Sequence, residues 1–247
     1  MDDASEPTYG GKPQTSRPLP PFGPLPPPTA VLSRELAVFL FILLPALVLS
    51  LFTVQSGSTS FATVAVATIF QDLALTALVL YFFWRNGEGH AALGWRGSLP
   101  LEVLVGAVLF VPTFFVAGAL ETTLRHAGLS SEGKLPSFLA AKGGGEMILA
   151  VVLVVVVAVA EESIFRGYLL RRFGNVTASP AVAVLLSAGV FAIGHGYEGS
   201  AGVVTVAFLG VVFALVYMWR GSLIAPVVMH LLQDLIGIVV APLIAGS

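Results

Sequence analysis

Apolar stretches of membrane-spanning size recur along this chain, at residues 35–54, 61–84, 101–120, 147–173, 180–196, 202–219 and 222–244. A bilayer core about 30 Å thick takes about 20 helical residues to cross. Hydrocarbon offers no partner to an unpaired backbone N–H or C=O, so only helices and closed barrels span it, and the alternating pattern of a barrel strand is missing here. The predicted fold is therefore all-α: a polytopic membrane domain of about seven transmembrane helices. Connections rich in Gly and Ser (Gln55–Ser60, Gly196–Gly202, Gly221–Ser222) suit tight hairpins. Two connections are longer, Arg85–Pro100 and Thr122–Gly145, and Pro45, Pro112 and Pro226 are expected to kink their helices.

Composition agrees. Of 247 residues 56% are hydrophobic and 11% charged, against about 25% charged in soluble domains. Twelve Lys and Arg against fourteen Asp and Glu leave no basic surface for nucleic acid, and the lack of cysteine removes disulfides, thiol nucleophiles and thiolate metal sites. Residues 1–29 hold nine of the sixteen prolines and read as a disordered, proline-rich cytoplasmic tail ahead of a transmembrane domain at 30–247. The first apolar stretch starts only near Leu36 and is long enough to anchor rather than be cleaved.

With the N-terminus inside, eight Lys and Arg (Lys12, Arg17, Arg34, Arg85, Arg96, Arg171, Arg172, Arg220) fall on the cytoplasmic side and three (Arg125, Lys134, Lys142) opposite. That bias predicts a cytoplasmic N-terminus and a C-terminus across the membrane, with the plasma membrane as the expected location. Gly128, Gly133 and Lys134 imitate a phosphate-binding loop, but Leu135 and Pro136 follow where a magnesium-holding hydroxyl and a helix are needed, so a polar loop is the better account.

Five charges fall inside the spans: Asp72, Glu161, Glu162, Arg166 and Asp234, joined by His195 and His230. At about 3 kcal/mol each on insertion scales, such groups must be paired, hydrated or functional. Glu162 and Arg166 are i and i+4 in the acid-first order of a helical ion pair. Glu161 points about 100° away, free to face another partner and to work as a general base. His230 and Asp234 are again i and i+4, a spacing at which a carboxylate can orient an imidazole or share a metal with it. His195 closes the fifth span, where Gly194, Gly196, Gly199 and Gly202 predict that the helix stops early, inside a protein-lined cavity. Asp72, beside Gln71, reads either as a polar contact between helices or as a gate for water, the former slightly favoured.

Glu161-Glu162-x-x-x-Arg166, then Phe191-x-x-x-His195, then His230-x-x-x-Asp234 resembles the motif set of the CPBP family, the type II CAAX prenyl endopeptidases and Abi proteins, which are intramembrane proteases. The motif-bearing core is 146–247. The resemblance implies an endopeptidase in which Glu161 and His195 activate a water for attack on a peptide carbonyl. His230 and Asp234 would then stabilise the oxyanion or ligate a metal, with Glu162, Arg166 and Phe191 supporting. The family pattern often ends in Asn, and an ionised Asp234 would repel an oxyanion, so orienting His230 suits Asp234 better. Glu161, His195 and His230 could form an open, three-ligand zinc site or work without metal, and the residues leave both readings open.

Membrane lipid and a peptide or lipidated-peptide substrate are the expected partners, while the oligomeric state is unspecified. The main alternative is a proton-coupled or small-solute transporter, since buried carboxylates and histidines also mark proton relays. No internal repeat supports it. The other alternative is a non-catalytic scaffold in peptide export or immunity.

Overall fold

The computed structural model describes residues 27–55, 60–131 and 141–245. The expected proline-rich tail, apart from residues 27–29, lies outside the described residues, as do Gly133 and Lys134 of the phosphate-loop imitation. The described chain folds into α1 (Thr29–Gln55), α2 (Phe61–Arg85), α3 (Leu99–His126), α4 (Gly143–Glu162), α5 (Arg171–Thr177), α6 (Pro180–Ile193), α7 (Gly199–Arg220), α8 (Ile224–Asp234) and α9 (Ala241–Ala245). A π-helical segment, Ser163–Leu170, makes one rod of α4 and α5, and a second, Leu235–Val240, does the same for α8 and α9. Seven rods result, and no strand occurs among the described residues. The protein is thus an all-helical, polytopic membrane protein.

Five rods are long and apolar enough to cross a bilayer, whereas Pro180–Ile193 and Ile224–Val240 are shorter. The 14 residues of α6 rise only about 21 Å at 1.5 Å each, so α6 stops short of a full crossing.

Local signals set these ends. Ser60 caps α2 by accepting from the Thr63 N–H. Ser179 caps α6 in the same way through Val182, ahead of Pro180 at the first helical position. Gly221 ends α7 at φ 61°, a left-handed turn that glycine adopts freely, and its N–H reaches the Tyr217 carbonyl at 2.7 Å. Pro45 and Pro112 lie inside α1 and α3. Pro226 instead falls in the first turn of α8, where no backbone N–H is needed, so the kink expected there has no cause.

The rods pack as pairs, α3 along α8, α6 along α7 and α2 along α4. Small residues permit the close approaches: a Cβ on Gly106 of α3 would lie 2.6 Å from the Ala225 carbonyl oxygen of α8, and one on Gly210 of α7 would lie 3.0 Å from the Ala188 Cβ of α6. Phe41, Phe70, Phe115, Ile148 and Leu185 face outward, as lipid-facing residues should.

At the end of the bundle where α2 and α7 finish, charges that resemble loop and helix-end residues in sequence are in fact buried. Arg172 bridges Glu35 at 2.9 Å and Glu88 at 2.6 Å, all three nearly without exposure, while Arg171 adds a contact to Glu88 at 3.1 Å. Arg85 reaches Glu35 at 3.0 Å and Arg220 pairs with Glu102 at 2.7 Å. Exposed Trp84 and Trp219 flank this end, as interfacial aromatics do. Tyr217 donates to the Leu93 carbonyl at 3.1 Å and the Leu223 N–H to Gly94 at 2.9 Å, tying the α2–α3 connection to the α7–α8 turn. This end is clamped. The opposite end is where the helices separate around a cavity.

Candidate active site

All seven rods contribute to a cavity of about 740 Å³ whose wall includes Glu161, His195 and His230. Its lining runs from Asp72 on α2 and Glu161 on α4, past His195, to His230 and Asp234 on α8, and continues to Glu121 and Arg125 near the end of α3. It therefore extends away from the clamped end.

Glu161 and Glu162 occupy the last two positions of α4 and diverge as their angular separation requires. Glu162 turns into the protein with no exposure, and its Oε1 accepts from Arg166 at 2.7 Å and from His230 Nδ1 at 2.9 Å. Glu161 is half-buried on the cavity wall, and its Oε2 has no hydrogen-bond partner. Arg166 is itself fully buried, donating also to the Gly210 carbonyl at 3.2 Å and lying 4.5 Å over the Phe191 ring. Neutralised and stacked in this way, the ion pair avoids the cost of an uncompensated buried charge. Both π-helical segments begin directly after site residues, one after Glu162 and the other after Asp234, a recurrent place for such segments.

His230 is buried and held from both sides. Besides the bond to Glu162, its Nε2 lies 3.4 Å from Asp234 Oδ2 and 3.8 Å from Glu161 Oε2. His195 sits just past the early end of α6, on the cavity wall. Its Nδ1 donates to the Phe191 carbonyl at 3.1 Å, which leaves Nε2 as the acceptor nitrogen. Phe191 is the hub of the site, with ring centroids 4.9 Å from His195, 5.8 Å from His230 and 5.0 Å from Phe165.

The structure thus brings together all seven site residues expected from the sequence. Among the described residues no group of three or more His, Asp or Glu side chains is disposed to hold a metal ion. His230 spends Nδ1 on Glu162 and faces Glu161 and Asp234 with Nε2, an outer-shell arrangement that serves a metal-bound imidazole and a metal-free hydrogen-bond donor equally. Chemically, the arrangement can offer a carboxylate base, an acceptor imidazole and a fixed N–H donor on the wall of one cavity.

Tyr197, Glu198, Thr205, Glu121 and Arg125 also line the cavity but carry no motif. Helical phase places Glu121, Arg125 and Thr205 there, and the turn Gly196–Glu198 between α6 and α7 places Tyr197 and Glu198. Ser163, which accepts from the Trp95 indole at 3.3 Å and donates to the Val159 carbonyl at 2.7 Å, also lies outside the expected set.

Residues 143–236, the segment from the start of α4 into the second π-helical turn, match the family model described as Rce1-like, type II CAAX prenyl endopeptidase Rce1-like. The matched segment contains every motif residue and agrees with the family named from the motifs. No curated protein and no solved structure matches the chain.

Proposed function

We propose that this chain is an intramembrane endopeptidase of the CAAX-protease type that hydrolyses a peptide bond with water activated by Glu161 and His195. One observation carries the reading: a buried histidine, His230, fixed through Nδ1 by Glu162, presents Nε2 beside a carboxylate oxygen of Glu161 that has no hydrogen-bond partner, on the wall of a cavity. The match to the type II CAAX endopeptidase model supports the reaction class.

In this reading water enters between Glu161 and His195. Glu161 takes one of its protons while His195 Nε2 accepts the other as a hydrogen bond, and the water oxygen adds to the substrate carbonyl carbon. The charge that develops on the carbonyl oxygen is met by the His230 Nε2–H, which is held in place before the reaction begins. Glu161 then passes its proton to the nitrogen as the C–N bond breaks, and the carboxylate is restored. His230 acts as the imidazolium: its Nδ1–H is held by Glu162, itself paired with Arg166, and Asp234 beside Nε2 fixes the orientation of the ring. No step needs a metal.

The substrate is a membrane peptide, lipidated or not, reached from the bilayer. The Lys and Arg bias supports a cytoplasmic N-terminus and a C-terminus on the far side of the plasma membrane. The test is cleavage of candidate membrane peptides by the purified protein beside Glu161→Gln. Loss of cleavage in the variant is expected. Equal cleavage by both would overturn the proposal.

A further inference from the structure

The motifs account for α4, α6 and α8, but the cavity has another wall, contributed by α2, which lies outside the matched segment. Thr68, Gln71 and Asp72 line it, a polar stripe on one face of an otherwise apolar helix. Asp72 is only 5% exposed, and its Oδ2 has no hydrogen-bond partner among the described residues. Across the cavity Thr205 of α7 is 7% exposed, and its Oγ1 also lacks a partner. Sealed polar atoms without partners are costly in a membrane interior and rare in folded proteins, and two of them on the walls of one cavity call for a ligand that satisfies both.

The charge of the cavity defines that ligand. Its lining holds five carboxylates, on Asp72, Glu121, Glu161, Glu198 and Asp234, against Arg125 and the imidazoles of His195 and His230, so the carboxylates outnumber the cationic groups. Glu121 is satisfied by the Ser131 hydroxyl at 2.7 Å, and Asp234 faces His230. Asp72 accepts no hydrogen bond at Oδ2, and it lies within electrostatic reach of both His230 and Glu161. An anionic ligand is therefore repelled. A bound cation is drawn in and relieves the repulsion between the carboxylates. Leu43, Leu47 and Leu75 line the same region, so the pocket pairs an apolar channel with a carboxylate, the environment that the alkyl stem and charged tip of a lysine occupy together.

We propose that Asp72 is the specificity determinant of this site and receives a lysine or arginine side chain of the substrate next to the bond that is cleaved, with Thr205 as a second polar contact. This rests on the protease reading and names the substrate class for it: membrane peptides with a basic residue at that position. Recognition of a charged group by a buried partner gives at least about tenfold discrimination over an uncharged side chain of equal length.

The experiment uses the full chain in proteoliposomes and a set of membrane peptides that differ only at the position beside the cleaved bond, carrying lysine, norleucine or glutamate. Wild type is expected to cleave the lysine peptide with kcat/KM at least about tenfold above norleucine, chiefly through KM, and the glutamate peptide worst. In Asp72→Asn the lysine-to-norleucine ratio falls towards one, in Asp72→Glu it persists, and in Asp72→Lys the order of lysine and glutamate reverses. A wild-type ratio near one, or an undiminished ratio in Asp72→Asn, overturns the inference, and the wild-type arm decides even if a variant does not fold. Glu161→Gln separates the two claims. Cleavage by that variant would overturn the protease reading, whereas Glu161-dependent cleavage without a lysine preference would overturn only the role of Asp72.

Discussion

Two adjacent carboxylates are expected to respond to the same substitution in opposite ways. Glu162→Gln keeps the shape of the side chain and an oxygen that can still accept, but removes the negative charge that Arg166 at 2.7 Å and His230 at 2.9 Å share. Arg166 has no exposure, so its guanidinium is left uncompensated. Breaking a buried pair from one side costs about 3–5 kcal/mol, or roughly 150- to 5,000-fold in the folding equilibrium. At about 2–4 °C per kcal/mol for a chain of this size, the melting temperature should fall by roughly 6–20 °C. Glu161→Gln touches no ion pair closer than the 3.8 Å approach to His230, and its Oε2 has no hydrogen bond to lose. Its melting temperature should stay within about 2 °C of wild type, while cleavage disappears. Thermal unfolding in detergent, followed by helical circular dichroism alongside peptide cleavage, reads both. An unchanged Glu162→Gln melt, or a Glu161→Gln protein as unstable as Glu162→Gln, would refute the division of labour between the two residues.

Arg172→Met removes the cation that Glu35 and Glu88 share and leaves them with Arg85 and Arg171 respectively, so stability should fall by about 3 kcal/mol, measured by denaturant unfolding. Gly106→Val drives a side chain against the Ala225 carbonyl of α8 and should reduce the yield of folded protein sharply, whereas Gly118→Ala, with nothing within 4 Å, should leave the melting temperature within about 2 °C of wild type. Phe191→Leu removes the ring over Arg166 and beside both histidines. It should cost about 1–2 kcal/mol in stability and lower kcat more than it changes KM, read by melting and steady-state kinetics. In the metal-free reading of the site, treatment with a chelator should leave the cleavage rate unchanged in the same peptide assay.

What the sequence reveals about the site is what one helix can encode. The spacing of Glu162 and Arg166 and of His230 and Asp234 translates directly into contacts, because residues four apart share a face whatever the fold around them. The early end of α6 is legible for a similar reason, since its glycines act locally. The bond from Glu162 to His230 joins residues 68 apart and depends on how α4 meets α8, which no local pattern specifies. Asp72 illustrates the same limit. Its sequence neighbourhood favours an ordinary contact between helices, and only the packing of α2 against α4 turns it onto the cavity wall. The buried Glu35, Glu88 and Arg172 network is hidden for a different reason: charges at helix ends are normally solvated, and their burial here follows from the fold of the clamped end. The two π-helical segments leave no mark in hydrophobic periodicity.

The central claim is that Glu161 directs a water molecule to a peptide bond within the membrane. The most direct test is to cleave a membrane peptide with the purified protein in proteoliposomes prepared in ¹⁸O-labelled water, and to weigh the new C-terminal fragment by mass spectrometry. The account predicts one solvent-derived ¹⁸O in the new carboxyl group with wild type and no fragment with Glu161→Gln. A fragment without solvent oxygen, or the same labelled fragment formed by Glu161→Gln at the wild-type rate, would contradict it.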